Sequence, residues 1–253
     1  MCGALLCFLA AGVGVKVKPC HHLKNTSGGF GGDARIEIAM SNRDRSFLYH
    51  LLRHRTSVFL ELGSGGSTVL ASTLAPRFIR QIVSVDTSRE WLARVRSLVS
   101  THPATQRHHH HDDQKNRSSV LDLRLADVGP TSAWGWPARW ETLGEDERVR
   151  IGTRYVDALA HISDIACKSC FSEVDTILVD SRFRRSAVLV MLPLLAPGGT
   201  LLLHDCDRYT AFLKRFFSFC AVDQLCVLDP LPNLTLEGAL ENAYSRPVLS
   251  QAT

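Results

Sequence analysis

Apolar residues recur along this chain in two alternating patterns, short unbroken runs and longer stretches at helical spacing. Ser41-Asn-Arg-Asp44 offers helix-cap chemistry, and Phe47, Leu48, Leu51 and Leu52 then predict a helix over 42–54. Residues 57–62 read as a buried strand closed by a Gly-rich turn, 68–74 as a helix and 78–85 as a second strand. A helix over 90–100 follows, with Trp91, Leu92, Val95, Leu98 and Val99 along one side. A third strand is expected at 120–125, a helix at 150–166 and a fourth strand at 174–179. A helix at 186–195 leads through the turn Pro197-Gly-Gly199 into a strand at 200–203. A helix at 211–219, a sixth strand at 224–228 and a short helix around 236–244 complete the series. Apolar strands that alternate with helices predict an α/β, Rossmann-like, doubly wound and mostly parallel sheet with helices on both faces. Such sheets bind ligands beyond the C-terminal ends of their strands, near the point where strand order reverses.

Composition narrows the picture without changing it. At 253 residues the chain suits one large domain, expected over 36–229, behind a flexible or cleavable leader at 1–35 and ahead of a tail at 230–253. Residues 102–118, with His108-His-His-His111, read as a surface insertion. The balance of 29 Lys+Arg against 25 Asp+Glu is too even to suggest nucleic acid, and no apolar run is long enough to span a membrane. Cys167-Lys-Ser-Cys170 has no second pair at zinc-finger spacing and reads as two thiols near a helix end. The eight cysteines and the sequons at Asn25, Asn116 and Asn233 are weak signs of secretion. A cytoplasmic protein is expected. A secretory leader within residues 1–20 stays open, because Ala4 to Val15 has the size of a signal core but no preceding Lys or Arg.

The chemistry gathers at the strand ends. The first strand runs into Glu61-Leu-Gly63-Ser64-Gly65-Gly66-Ser67-Thr68, where glycines allow close approach of backbone to a ligand. Thr68 stands where a dinucleotide fingerprint carries its third glycine, and the lysine of a phosphate-binding loop is missing. Asp86 ends the second strand 20 residues after Gly66, the spacing at which a carboxylate accepts hydrogen bonds from ribose hydroxyls. Together these point to a nucleotide-like ligand other than a nucleoside triphosphate. Further on, Trp134, Trp136 and Trp140 crowd one loop, where they either cover a ligand or pack the loop down. Asp180 and His204-Asp205 end the fourth and fifth strands, and Arg182 and Arg184 could clamp an acidic substrate.

The turn at 61–67, then Asp86, Asp127 and Asp180 followed by Pro197-Gly-Gly199, resemble the ordered motifs of class I S-adenosylmethionine-dependent methyltransferases over about residues 57–229. That resemblance implies that S-adenosylmethionine is the cofactor, held by Glu61, Gly63, Ser64, Gly65, Gly66, Ser67, Asp86 and Asp127. Gly63 and Gly65 would pass the methionine moiety, Glu61 would orient its amino end, Asp86 would hold the ribose and Asp127 would lie beside the adenine. Asp180, His204 and Asp205 are the expected catalytic residues, and Trp134, Trp136, Arg182 and Arg184 the expected substrate-binding ones. The two acids at adjacent strand ends are similar to the metal pair of catechol-type O-methyltransferases, which points to oxygen as the acceptor atom. Cys206 stands where that family carries Asn, so no metal is expected; were one bound, Asp180 and Asp205 would hold it. The expected partner is a small-molecule acceptor, acidic if the arginines serve it. Two other readings stay in view: a catalytically silent cofactor-binding domain, and a nicotinamide-dependent oxidoreductase.

Overall fold

The computed structural model describes residues 39–75, 77–102, 105, 121–168 and 174–251, with 162–168 as backbone alone. The leader, most of the 102–118 insertion with its histidines, and the Cys167–Cys170 pair lie outside the described residues and side chains. Helix α1 (Asn42–His54) starts as its cap predicts, with Ser41 accepting from the Asp44 amide. β1 (Val58–Leu62) and β2 (Gln81–Asp86) flank α2 (Gly66–Leu74), and α3 (Arg89–Thr101) leads to β3 (Leu121–Leu125). α4 (Glu145–Lys168) precedes β4 (Val174–Val179), and α5 (Arg184–Val190) precedes β5 (Leu195–His204). The chain then forms α6 (Thr210–Phe216), β6 (Phe217–Ala221), β7 (Leu225–Pro230), α7 (Leu236–Ala243) and α8 (Arg246–Leu249).

Seven strands form one sheet in the order β3-β2-β1-β4-β5-β7-β6. β1 to β5 are parallel, while β7 runs antiparallel to both β5 and β6. The expected Rossmann-like architecture is therefore present. Strand order reverses between β1 and β4, which places the ends of those two strands at the switch point. Every residue of β1 is buried, because the sheet is covered on both faces. Leu60, Leu62, Ile177 and Val179 belong to one apolar cluster, while Phe59, Ile82, Leu178 and Leu202 join a second with α1. Each such aliphatic side chain contributes roughly 1.5–3 kcal/mol on burial.

Several expected boundaries shift for local reasons. α4 begins at Glu145 rather than near 150, its first turn carrying Glu145, Asp146 and Glu147, charges that suit a helix N-terminus. The helix expected over 186–195 stops at Val190, ahead of Pro193 in a 3-10 turn. Pro197-Gly-Gly199 lies within β5, where the pairing register with β4 shifts, and is no turn before it. The helix expected to reach 219 ends at Phe216, and β6 follows as the outer strand of a hairpin with β7. Residues 236–249 also exceed the role of a tail. Ala239, Ala243, Val248 and Leu249 are buried in the sheet's own core, and a Cβ on Gly152 of α4 would lie 2.4 Å from the Leu249 carbonyl oxygen.

Candidate functional site at the strand ends

All four non-glycine residues with positive φ among those described lie in loops beyond the strand ends: Trp134, Arg139, Phe183 and Asp205. Strained backbone of this kind costs energy and gathers where geometry serves a function. It singles out the face that the sequence also nominated.

Gly63 anchors the first part of the site. Its φ is +100°, and a Cβ there would meet the Asp180 carbonyl oxygen at 2.4 Å, so only glycine lets the turn after β1 pass the end of β4. Gly65 faces open space, with nothing within 4 Å of a Cβ built on it. Beneath the turn Glu61 is fully buried, and its carboxylate accepts from the hydroxyls of Ser67, Thr68 and Ser84. Burial pushes Glu61 up to about 7, against the pull of those hydrogen bonds. Ser64 turns its own hydroxyl to Ser84 at 2.7 Å. Glu61, Ser64 and Ser67 thus spend their side chains below the turn. They brace it from within.

Asp86 borders the same opening. Its Oδ2 accepts from the Ser64 amide at 3.1 Å and its Oδ1 from the Ser88 amide at 2.8 Å. Burial raises it to about 6, partly offset by hydrogen bonds from the backbone and by the charge of Arg182. The Thr87 amide adds a third backbone hydrogen bond, which leaves the carboxylate room for one further hydroxyl donor. Asp127 is exposed and, among the described residues, accepts only from the Gly129 amide, at 2.9 Å. Trp91, which its sequence context marked merely as a helix-face residue, donates its indole N–H to the Ser64 carbonyl at 2.6 Å. The sequence signal was faint: a lone large aromatic one turn into the helix after Asp86.

The Trp-rich loop is a short hairpin. Thr131 pairs with Pro137, and the tip residue Trp134 is 79% exposed with φ +61°. Thr87 donates to the Gly135 carbonyl at 2.8 Å, which seats the tip beside Asp86. From the loop after β4, Arg182 donates to the Trp134 carbonyl at 3.1 Å and stacks its guanidinium 4.6 Å from the Trp136 ring centre. Trp136 and Arg182 therefore meet over the strand ends, whereas Trp140 packs edge-on to Phe183 in the core.

Arg184 is placed differently. It is buried and bridges Asp180 at 2.5 Å and Asp205 at 2.9 Å. The guanidinium that was expected to clamp an acidic substrate instead neutralises the two acids that were candidates to share a metal. His204, also buried, has Nδ1 3.1 Å from Asp180 Oδ1, while its Nε2 is enclosed without a hydrogen-bond partner among the described residues. Burial works against a charged imidazole, but the Asp180 hydrogen bond and the charges of Asp180 and Asp205 outweigh it, so His204 moves above its usual value. Asp205 resists protonation: burial raises it, yet the Arg184 hydrogen bond and charge hold it below the usual carboxylate range. A disulfide between Cys206 and Cys226, Cα atoms 5.9 Å apart, ties the residue after Asp205 to β7.

No family model and no curated protein matches this chain. Solved structures do resemble it. An O-methyltransferase from Bacillus cereus, in complex with S-adenosylhomocysteine, is 14% identical with a TM-score of 0.46, over 75% of this chain and 82% of that one. The N-methyltransferase NodS from Bradyrhizobium japonicum, also in complex with S-adenosylhomocysteine, is 17% identical with a TM-score of 0.36, over 74% and 84%. Precorrin 8w decarboxylase from Methanobacterium thermoautotrophicum is 13% identical with a TM-score of 0.42, over 76% and 91%. Likeness this distant identifies neither ligand nor reaction.

Proposed function

We propose that this protein is an S-adenosylmethionine-dependent methyltransferase acting at oxygen on a small-molecule acceptor. The observation that carries the proposal is the opening between Gly65 and Asp86. A half-buried carboxylate with room for one more donor stands there beside a turn that has no lysine, no arginine and a buried acid beneath it. A ribose with a cationic or neutral extension suits that surface, and a pyrophosphate does not. Gly63, Gly65 and Gly66 would line the methionine portion, Asp86 would accept from the ribose and Asp127 would stand near the adenine. Bound there, S-adenosylmethionine supplies an electrophilic methyl group.

The chain's own residues orient the acceptor and take its proton. Asp180 accepts from Nδ1–H of His204 and so fixes the tautomer in which Nε2 carries a free lone pair for an acceptor hydroxyl. Arg184 holds Asp180 and Asp205 in place without becoming a substrate contact. Because that guanidinium already joins the two carboxylates, the proposal assigns them no metal. Trp136 and Arg182 offer a flat, positively charged wall for an aromatic or acidic acceptor.

The enclosure of His204 Nε2 favours one second reading, a silent domain that binds the cofactor without turning over. Calorimetric titration with S-adenosylhomocysteine and with NAD, on the parent and on Asp86→Ala, tests the cofactor. Binding of S-adenosylhomocysteine alone, lost in the variant, is expected; preference for NAD would overturn the assignment. Turnover on a panel of hydroxylated acceptors, abolished by His204→Gln with cofactor affinity intact, separates enzyme from silent domain. No described helix is long and apolar enough to cross a membrane. Cytoplasmic residence, expected from the sequence, sits uneasily with the Cys206–Cys226 disulfide, a bond that oxidising compartments sustain.

A further inference from the structure

The base of the Trp hairpin has features that methyl transfer leaves unused. Its two arms are held by the Ser132 amide on the Trp136 carbonyl at 2.7 Å and the Ala138 amide on the Pro130 carbonyl at 2.8 Å. On the side facing α4 lies a cavity of about 410 Å³, with a second of about 270 Å³ next to it. Pro137 and Arg139 line both. The larger one is within the size range of small-molecule sites and has apolar walls from Val128, Pro130, Leu143 and Ile151. Asp86, Asp127, Asp180 and His204 do not line it, and it meets the strand-end face only through Val128, the neighbour of Asp127.

Its rim is cationic. Arg139, Arg150 and Arg154 face a single acid, Glu147, and Arg150 is already hydrogen-bonded to that carboxylate, Nε to Oε2 at 2.9 Å. Arg139 and Arg154 have no hydrogen-bonded carboxylate among the described residues. Arg139 is moreover held at φ +61°, a left-handed conformation that glycine or asparagine would adopt at less cost. That turn leaves Arg139 exposed between the two cavities. We propose that the hairpin base binds an amphipathic organic carboxylate. The apolar body fills the larger cavity, and Arg139 and Arg154 meet the charge.

The full-length protein would be titrated, by calorimetry, with decanoate, with naphthalene-2-carboxylate and with decanol as a neutral control. Two variants accompany it, Arg139→Gly and Arg154→Gln. The proposal expects at least one carboxylate to bind, decanol to bind about tenfold more weakly, and each variant to weaken the carboxylate about tenfold while leaving decanol unchanged. Arg139→Gly also separates binding from folding, since relief of the left-handed backbone keeps its melting temperature at or above that of the parent. Failure of both carboxylates to bind overturns the proposal. So does equal binding of decanol, or unchanged carboxylate affinity in both variants. S-adenosylhomocysteine titrated into the same samples reports on the methyltransferase reading independently.

Discussion

The two halves of the strand-end face hold their acids in opposite electrostatic states. At the ends of β1 and β2, Glu61 is buried and Asp86 half-buried with hydroxyls and amides for company, and both are pushed towards neutrality. Beyond β4 and β5, Asp180 and Asp205 share the guanidinium of Arg184, and Asp205 is held charged. The first half is a cradle in which Glu61 braces the turn from below and Asp86 borders the open side. The second is a frame whose ions are already paired and whose Asp180 meets His204. A carboxylate at a strand end therefore says little about its role until its cations are known. Breaking each half separately should give different losses.

The largest effect is expected on catalysis. His204→Gln should lower turnover by roughly 10²- to 10⁴-fold, the usual worth of a positioned general base, with S-adenosylhomocysteine affinity unchanged. A pH–rate profile should rise as His204 loses its proton, with a midpoint above the ordinary imidazole value. Next comes the frame itself. Arg184→Met leaves Asp180 and Asp205 facing each other without a counter-ion and should cost about 3 kcal/mol, read as a drop in denaturant midpoint. Gly63→Ala should cost roughly 2–3 kcal/mol through left-handed strain and the clash with the Asp180 carbonyl.

A smaller and subtler contrast comes from pH. Glu61 and Asp86 have raised values in the fold, so between about pH 4 and 7 the native state binds more protons than the unfolded chain. Their contribution to stability is complete below that window and fades as pH rises through about 6 and 7. The ligand-free protein should thus melt progressively lower from pH 5 to pH 8, and Glu61→Gln should flatten the slope. A melting temperature that climbs over this range would show that the cradle acids are ionised without cost.

Much of this was legible in the chain itself, and the exceptions share a cause. The turn at 61–68 and Asp86 were readable because glycine and carboxylate spacing along a βαβ unit fixes their positions locally. Arg184 was misjudged because its partner Asp205 is 21 residues away and reaches it only when β4 and β5 pair. Ser64 and Ser67 looked like ligand contacts, but the buried Ser84 and Glu61 draw their hydroxyls inward. β6 escaped notice since Phe216-Phe217-Ser218-Phe219 satisfies a helical and an alternating period equally, and only pairing with β7 decides between them. The Cys206–Cys226 bond likewise depends on β5 lying beside β7, which no spacing of eight cysteines reveals.

The most direct test of the cradle is S-adenosylhomocysteine affinity measured by calorimetry at pH 5, 6, 7 and 8, on the parent and on Asp86→Asn. Ionised Asp86 is the better acceptor for ribose hydroxyls, so affinity in the parent should rise several-fold as pH passes about 6. The variant should bind more weakly at high pH and show no such rise. Equal affinity of parent and variant at every pH, or absence of binding by folded protein, would contradict the assignment of this strand-end opening to S-adenosylmethionine.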